Sequence, residues 1–503
     1  MALLPDYETF RAGYEAGRNQ VVWTRLAADL DTPVSLMLKL AGAAKHSFML
    51  ESVTGGEVRG RYSIVGMNPD LVWECRGTGS RLNRAARYDE EAFEALPGSP
   101  VETLRALLAE CRVELPEGLP AASAGLFGYL GYDMIRLIED LPDSRPDPLG
   151  LPDAVMLRPS VVAVLDGVKG DVILVAPAWT GSGLPAKAAH AQAAERVMDA
   201  QRALERGMPM APRALGQPRE ASPPVSNFTK AGYMAAVEKA KDYIRAGDIF
   251  QVVPAQRWTQ TFAEPPFALY RSLRRTNPSP FMFFFNFGGY QVIGASPEIL
   301  VRVFGSEVTI RPIAGTRPRG QTPEQDRAHE ESLLADQKER AEHLMLLDLG
   351  RNDVGRVAKP GTVRPTESFV IERYSHVMHI VSNVVGELAE GQDALSAFFA
   401  GMPAGTVSGA PKVRAMQIID ELEPEKRGVY GGGVGYFSAN GDMDMCIALR
   451  TAVLKGDQLY IQSGGGVVYD SDPEAEYMET VHKSQAIRKA AEDAAMFRPE
   501  GNG

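Results

Sequence analysis

The chain contains few of the residues that build disulfide frameworks or thiolate metal centres. Its 503 residues include three cysteines and seven histidines. Cys75, Cys111 and Cys446 are too scattered for a disulfide framework or a cysteine-based metal site, so a reducing cytoplasm is the expected compartment. No run is long enough to span a bilayer, and residues 1–10 lack the basic and apolar regions of a signal peptide. These absences predict a cytoplasmic protein without a membrane partner.

The chain also lacks an excess of positive charge. It has 53 Lys and Arg against 64 Asp and Glu, a net charge of -11, and no basic stripe. Nucleic-acid binding depends on many cationic contacts to phosphates, so a nucleic-acid partner is not expected. Hydrophobic residues make up 45% and charged residues 23%, as in ordinary globular proteins. The length permits either several domains or one large intertwined unit.

Local composition divides the chain into three parts. Residues 1–177 alternate strand-like runs with turns rich in Gly and Pro. Residues 178–226 contain a helical stretch from Ala186 to Arg206, then a Pro-rich linker. Residues 227–503 open with Thr229 as a helix N-cap and continue with strands in hairpins and helices between them. This pattern predicts an α+β fold with a mainly antiparallel sheet.

The third part contains clear turn signals. Gly288-Gly289 separates two strand-like runs over 281–295, and Asn440-Gly441 separates strands predicted at 434–438 and 443–454. Helices are predicted at 323–347, 393–400 and 411–422.

Two Glu-x-x-Glu pairs lie on segments with helical character. They are Glu339 with Glu342 and Glu476 with Glu479. Residues three apart share a helix face, so each pair can direct both acids to one point. Clustered carboxylates repel unless a cation neutralises them, and a set without Cys or His favours Mg²⁺ or Mn²⁺ over zinc. For either pair alone, a solvated helix face is the alternative.

Three further polar residues stand in apolar or strand-like surroundings. Arg450 interrupts an apolar strand, so it either pairs with an internal acid or binds a substrate carboxylate. Glu298 lies at a strand turn and is a candidate general acid. His379 and His376 face opposite sides of a strand, which argues against a chelate. His379 alone can act as a base, with a structural role as the alternative.

Glycine-rich segments provide backbone N–H groups for an anion. Residues 401–412 lack the ending of a Walker A loop, and Gly431–Gly435 precedes a strand, which argues against a dinucleotide site. Gly464, Gly465 and Gly466, and the helix that starts near Pro411 with Thr406 before it, are candidate carboxylate cradles. Ordinary turns are the alternative.

Several ordered blocks closely resemble the chorismate-utilising enzymes. The resemblance covers essentially all of residues 227–492 and extends more weakly to the region before 177. It implies the family's fold, a large, mainly antiparallel β-sheet sandwich with helices packed outside. The blocks are GASPEIL (294–300), RPIAGTRPRG (311–320), KERAEHLMLLDLGRND (338–353), HVMHIVSNVVGEL (376–388), PAGTVSGAPK (403–412), RGVYGGGVGYFS (427–438) and SGGGVVYDSDPEAEYMET (463–480).

Two positions distinguish branches of this family. Aminodeoxychorismate synthases carry a nucleophilic lysine where this chain has Ala314. Isochorismate and salicylate synthases carry a water-activating lysine where it has Gln251. Both differences point to ammonia as the nucleophile and to anthranilate as the product, with chorismate as the substrate.

The resemblance also implies residue roles. Glu342 and Glu479 would bind Mg²⁺ most directly and Glu339 and Glu476 through water, so that the metal holds the ring carboxylate of chorismate. Glu298 would be the general acid for amination, and His379 would remove the C2 proton during pyruvate elimination. The enolpyruvyl carboxylate would be held by Arg450, Tyr430, Gly464, Gly465 and Gly466, and the ring by Thr316 and Thr406, with Gln251 completing the catalytic set.

The use of ammonia implies a partner protein that supplies it, because free ammonia is scarce at neutral pH. The chain has no Gly-x-Cys-x-Gly nucleophile, so the resemblance implies a separate glutamine amidotransferase subunit and a hetero-oligomer.

A regulatory site is implied as well. Residues 49–52 (MLES) resemble the element that binds tryptophan in this family, and residues 277–283 (NPSPFMF) resemble its second wall. An ordinary core strand is the alternative. The predicted effector residues are Glu51, Ser52, Pro280, Met282 and Phe283.

Two other functions fit parts of the pattern. The chain could be a non-catalytic amino-acid sensor, although the four acids, His379 and Arg450 argue against that. Among the enzymes, aminodeoxychorismate synthase component I is the alternative.

Overall fold

Antiparallel pairing between distant segments dominates this computed structural model, which describes residues 3–53, 60–209, 222–374 and 377–497. The strands are β1 (Gln20–Ala27), β2 (Ser47–Glu51), β3 (Tyr62–Arg76), β4 (Gly79–Asn83), β5 (Glu94–Leu96), β6 (Gly125–Leu130), β7 (Ala154–Asp166), β8 (Asp171–Ala178), β9 (Val225–Ser226), β10 (Gln251–Val252), β11 (Ala255–Thr261), β12 (Phe281–Asn286), β13 (Tyr290–Ser296), β14 (Ile299–Phe304), β15 (Glu307–Ile310), β16 (Ile313–Pro318), β17 (Arg364–Arg373), β18 (Val377–Glu387), β19 (Gly409–Ala410), β20 (Gly433–Ser438), β21 (Met443–Ile447), β22 (Thr451–Lys455) and β23 (Gln458–Gly464).

Helices cover the sheet. They are α1 (Tyr7–Glu15), α2 (Pro33–Leu40), α3 (Pro100–Glu110), α4 (Ala186–Glu205), α5 (Lys230–Arg245), α6 (Pro266–Thr276), α7 (Pro323–Ala335), α8 (Gln337–Gly355), α9 (Ala394–Gly401), α10 (Lys412–Leu422) and α11 (Pro473–Asp493). Within the described ranges, none of these helices has the length and apolarity needed to cross a membrane.

The N-terminal strands pair with strands of the last part of the chain. β2 pairs with β12, so that Glu51 lies opposite Met282, and β6 pairs with β20, so that Phe127 lies opposite Tyr436. The residues before 177 and after 227 therefore contribute to one hydrogen-bonded network.

Strand alternation separates two large cores. On β2, Phe48 belongs to a core shared by β3, β7, β14 and β20, whereas Met49 belongs to a second core with α4, α6 and α11. On β12, Phe283 faces the first core and Phe284 the second. Because successive strand residues face opposite sides, one layer is packed between sheets and the other under helices. The predicted α+β sandwich with outer helices is confirmed.

Local signals identify several element boundaries correctly. Thr229 caps α5 by accepting a hydrogen bond from the backbone N–H of Gly232, and Asp472 caps α11 in the same way from Ala475. The hairpin over 281–295 is confirmed as β12 and β13. Residues 210–221 of the predicted linker lie outside the described residues, as does His376.

Two elements that were predicted to be continuous are each divided into two in the structure. The helix predicted at 323–347 is broken at Asp336, whose side chain accepts hydrogen bonds from the backbone N–H groups of Lys338 and Glu339 and so starts α8 anew. The strand predicted at 443–454 is broken between β21 and β22. There Ala448 exchanges backbone hydrogen bonds with the Gly431–Gly432 turn, and Arg450 takes φ of +48°.

Candidate active site

A carboxyl group and a hydroxyl group meet where two loops converge. Glu298 lies between β13 and β14, and Thr406 lies in a short 3-10 turn. Thr406 Oγ1 donates a hydrogen bond of 2.9 Å to Glu298 Oε2. Burial raises the pKa of Glu298 to about 6, although the Thr406 bond and the charges of Lys483 and Arg450 act against that rise. Glu298 is therefore partly protonated near neutral pH and suited to donate a proton.

Arg450 supplies a cation beside Glu298. Its backbone lies in the break between β21 and β22, in the left-handed region with φ of +48°. Within the described ranges, its guanidinium forms no hydrogen bond or ion pair, while its charge acts on Glu298, Tyr430 and Glu479. An unpaired, half-buried guanidinium is able to bind an external anion, and the contact with a substrate carboxylate stays a prediction.

Three glycines bring polar groups against one loop. A Cβ on Gly464 would lie 2.8 Å from the carbonyl oxygen of Pro254 and 3.1 Å from the Tyr430 hydroxyl, and one on Gly465 would lie 3.0 Å from Glu476 Oε2. A Cβ on Gly466 would lie 2.7 Å from Gln251 Nε2. The approach of the Pro254 backbone carbonyl favours glycine at position 464, and the short distances show that the predicted residues Tyr430, Gln251 and Glu476 lie against this loop.

His379 is held by backbone and side-chain groups of the neighbouring strand. Its Nδ1 lies 2.9 Å from the carbonyl oxygen of Gly315 and 3.1 Å from Thr316 Oγ1. A carbonyl oxygen only accepts, so Nδ1 carries the hydrogen and Nε2 keeps its lone pair. Burial lowers the pKa of His379, which favours the neutral imidazole that a base requires.

The four predicted metal ligands lie on two helices that approach each other. Glu339 and Glu342 project from α8, and Glu476 and Glu479 from α11. Burial raises the pKa of Glu342, and the negative charges of Glu339 and Glu479 raise it further. Burial also raises the pKa of Glu476 to about 7, with Glu479 adding to the rise. Each helix therefore lies within electrostatic reach of the other's acids.

The present side-chain positions do not form a complete metal cage. Over the described ranges, no three or more His, Cys, Asp or Glu side chains converge in a geometry that could hold a metal ion. Glu339 pairs with Arg317 at 3.1 Å, and Glu479 pairs with Lys483 at 2.6 Å. Glu476 Oε2, in contrast, is buried without a hydrogen-bond partner. The four carboxylates repel one another and include a buried oxygen without a partner. Such oxygen donors are the type that a hard divalent cation prefers.

Sequence reasoning missed Lys483. Its Nζ donates to the carbonyl oxygen of Gly464 at 3.0 Å and pairs with Glu479, and its charge also reaches Glu298 and Glu342. The available signal was its position four residues after Glu479 on the same helix face. A cavity of about 550 Å³ is lined by Arg450, Ala475, Met478, Glu479, His482 and Lys483.

All five predicted effector residues line a second cavity of about 870 Å³. We call it the effector cavity; its other lining residues include Leu50, Phe281, Tyr436, Asp444, Cys446, Arg311, Glu372 and Tyr374. The carboxylate of Glu51 is already paired, since it accepts a hydrogen bond of 2.6 Å from the Tyr270 hydroxyl and two-pronged bonds from Arg274. The Glu51 carboxylate is therefore already engaged with Tyr270 and Arg274 on the wall of this cavity.

Comparison with known proteins defines the class. The profile of the chorismate binding enzymes matches residues 68–489. The chain therefore belongs to the chorismate binding enzyme family. Within it, the anthranilate synthase component 1 of Cereibacter sphaeroides is 74% identical over 99% of this chain and 100% of its own length. That of Pseudomonas putida is 49% identical over 92% of this chain and 93% of its own length.

Solved structures agree with the fold. Anthranilate synthase component I from Streptococcus pneumoniae superposes with a TM-score of 0.76 at 36% identity, covering 92% of this chain and 98% of that one. The menaquinone-specific isochorismate synthase from Escherichia coli has a TM-score of 0.71 at 19% identity, covering 97% of this chain and 100% of that one. At 19% identity, the comparison with the isochorismate synthase shows a shared fold only.

Proposed function

We propose that this chain is the chorismate-converting subunit of an anthranilate synthase, which uses ammonia to form anthranilate and pyruvate. The observation that carries the proposal is the grouping of a raised-pKa acid, Glu298, with the unpaired Arg450 in a chain whose full-length relatives bear that name. Ala314 and Gln251 support it, because neither can serve as the lysine of the other branches.

Amination is assigned to Glu298. Ammonia forms a bond to C2 of chorismate while the bond from C4 to its hydroxyl breaks, and the hydroxyl leaves as water with the proton of Glu298. Thr406 fixes the carboxyl of Glu298 by its 2.9 Å bond, and the enolpyruvyl carboxylate of the substrate needs a cationic group such as Arg450 to stay in place. Thr316 and Tyr430 complete the walls around the substrate.

Elimination is assigned to His379. Its Nε2 takes the C2 proton, the electron pair of that bond completes the aromatic ring, and the ether bond between ring C3 and the enolpyruvyl oxygen breaks. The released enolpyruvate takes up a proton at its methylene carbon and becomes pyruvate. Because the Gly315 carbonyl oxygen holds the proton on Nδ1, the base is already in the required tautomer.

Mg²⁺ would be held by Glu342 and Glu479, with Glu339 and Glu476 nearby. When bound, it would neutralise the acids and fix the ring carboxylate of the substrate. Arg317 and Lys483 pair with one oxygen of Glu339 and of Glu479 in the present arrangement, so the metal would use the other oxygen of each carboxylate or displace these cations.

A glutamine amidotransferase subunit would supply ammonia. The three cysteines of this chain are buried, and burial raises the pKa of Cys75 to about 12 and that of Cys111 to about 11. A thiol held in its protonated form is a poor nucleophile, which supports a separate glutaminase.

Tryptophan is the proposed inhibitor at the effector cavity. The cavity volume of about 870 Å³ and its aromatic lining suit an indole ring. The effector cavity shares no lining residue with the cavity around Arg450 and Lys483. Feedback inhibition requires such a separate site.

Identification of the product tests the proposal. Purified chain with chorismate, ammonium and Mg²⁺ should form anthranilate and pyruvate, detected by fluorescence and mass, and should form neither without ammonium. Accumulation of 4-amino-4-deoxychorismate would favour the aminodeoxychorismate synthase alternative. No consumption of chorismate would favour the sensor.

A further inference from the structure

Tyr374 lies between the effector cavity and the candidate base. It is one of the residues that line the effector cavity. Its ring also packs edge-on against the imidazole of His379, with centroids 5.5 Å apart and an interplanar angle of 63°. A single side chain is therefore in contact with both places.

A hydrogen-bonded chain holds Tyr374 in this position. The Tyr374 hydroxyl donates a bond of 3.0 Å to Glu372 Oε2, and Arg311 Nη2 donates one of 2.6 Å to Glu372 Oε1. Arg311 is buried, and it also lies 3.5 Å from Glu367. Both Arg311 and Glu372 line the effector cavity with Tyr374, so an occupant would meet the whole chain of contacts.

Strand register ties this chain to the catalytic strand. Glu372 on β17 lies directly opposite His379 on β18. The negative charge of Glu372 acts on His379, and burial raises the pKa of Tyr374, so its hydroxyl stays a donor. Movement of the Tyr374 ring would therefore alter the packing of the His379 imidazole and the distance between that imidazole and the Glu372 carboxylate.

We propose that Tyr374 is a positioning residue that orients the His379 ring and transmits the occupancy of the effector cavity to it. The transmission rests on the proposed function, in which tryptophan is the occupant and His379 the base. The physical basis is that packed side chains move between discrete arrangements, and that inhibition is a coupling free energy between two sites. A ligand that fits the effector cavity better in one arrangement of the Tyr374 ring than in another biases both sites, even when most of its binding energy comes from other lining residues.

The test uses Tyr374→Ala, Tyr374→Phe and Glu372→Gln in the full chain. Tyr374→Ala removes the packing ring, so kcat should fall roughly 10- to 100-fold, as for a small misplacement of a catalytic group. The KM for chorismate should change by less than about twofold, since the ring does not bind substrate. The aminated intermediate should accumulate. Tyr374→Phe keeps the ring and should recover most of kcat.

The regulatory part is measured on the same variants. In Tyr374→Ala, tryptophan should still bind in calorimetry with nearly wild-type affinity, yet the fractional inhibition at saturating tryptophan should be largely lost. Glu372→Gln loosens the ring and should weaken inhibition partly. Tyr88→Ala, at a side chain that is 82% exposed, is the matched control and should change neither property.

Several outcomes would overturn the proposal. Wild-type kcat in Tyr374→Ala would refute positioning, and full inhibition in it would refute transmission. Loss of tryptophan binding would make Tyr374 part of the ligand's contact surface instead. If Tyr374→Ala does not fold, unchanged kcat and inhibition in Glu372→Gln would refute both parts. If wild-type protein does not bind tryptophan, the proposed effector function fails, while kcat and the intermediate still decide positioning.

Discussion

Thr406 Oγ1 donates a hydrogen bond of 2.9 Å to the carboxylate of Glu298, which lies 108 residues earlier in the chain. The bond connects the turn between β13 and β14 with the loop before α10. It stabilises the charged form of Glu298, whereas burial stabilises the neutral form more strongly, and the pKa settles at about 6. The balance between these two effects sets the pH range in which Glu298 can donate a proton.

The first prediction concerns pH. A general acid must be protonated, and the protonated fraction of Glu298 falls as pH rises through about 6. At a constant concentration of free ammonia, kcat/KM for chorismate should therefore decline above this pH. Thr406→Val removes a bond that lowers the pKa, so the decline should move to higher pH. Glu298→Gln should reduce amination by roughly 10²- to 10⁴-fold.

Thr366→Val, at a threonine that is bonded to Asn383 on the surface, is the control for Thr406→Val. A pH profile of Thr406→Val that coincides with that of the wild type would contradict the assignment of the acid.

The second prediction concerns Mg²⁺. Glu342→Gln and Glu479→Gln each remove a proposed ligand, so turnover with ammonium should fall by about 100-fold or more and Mg²⁺ binding in calorimetry should weaken. Glu474→Gln is the matched control, because Glu474 lies on the same helix but pairs with Lys230 at the surface. Near-normal turnover in either ligand variant would show that the metal assignment is wrong.

The third prediction separates the two half-reactions. His379→Ala should still aminate chorismate, because the base acts only in elimination, so an aminated intermediate that retains the pyruvyl group should accumulate. Mass spectrometry of the quenched reaction detects it. His329→Ala, at a histidine on α7 that contacts the Pro318 carbonyl oxygen, is the control. Normal anthranilate formation without the intermediate would remove His379 from the mechanism.

The fourth prediction concerns the nitrogen source. The isolated chain should use ammonium salts but not glutamine, because its buried thiols cannot act as a glutaminase nucleophile. Adding a glutamine amidotransferase subunit should restore glutamine-dependent anthranilate formation, followed by fluorescence. Anthranilate made from glutamine by this chain alone would refute the need for a partner.

The fifth prediction concerns inhibition. Ser52→Phe adds a ring at the wall of the effector cavity, so the variant should make anthranilate but should no longer be inhibited by millimolar tryptophan. Ser306→Phe, in the exposed turn between β14 and β15, tests whether a new surface ring alone has this effect. Equal inhibition of Ser52→Phe and wild type would exclude a tryptophan site in this cavity.

The sequence by itself determined the properties that depend on neighbouring residues. Helix caps at Thr229 and Asp472 were predictable because a capping side chain bonds to backbone only a few residues away. The three-residue spacing of each Glu pair places both acids on one helix face for the same reason. The family itself was recognisable from ordered blocks along the chain.

Only the tertiary structure decided which distant groups meet. The break at Arg450 depends on backbone bonds to the Gly431–Gly432 turn. The pairing of Glu51 with Arg274 depends on packing of α6 against β12 and β13. Likewise, Lys483 reaches Glu298 only because α11 lies beside the turn after β13. These contacts join segments far apart in sequence, where no local periodicity acts, and their geometry follows from how sheets and helices pack.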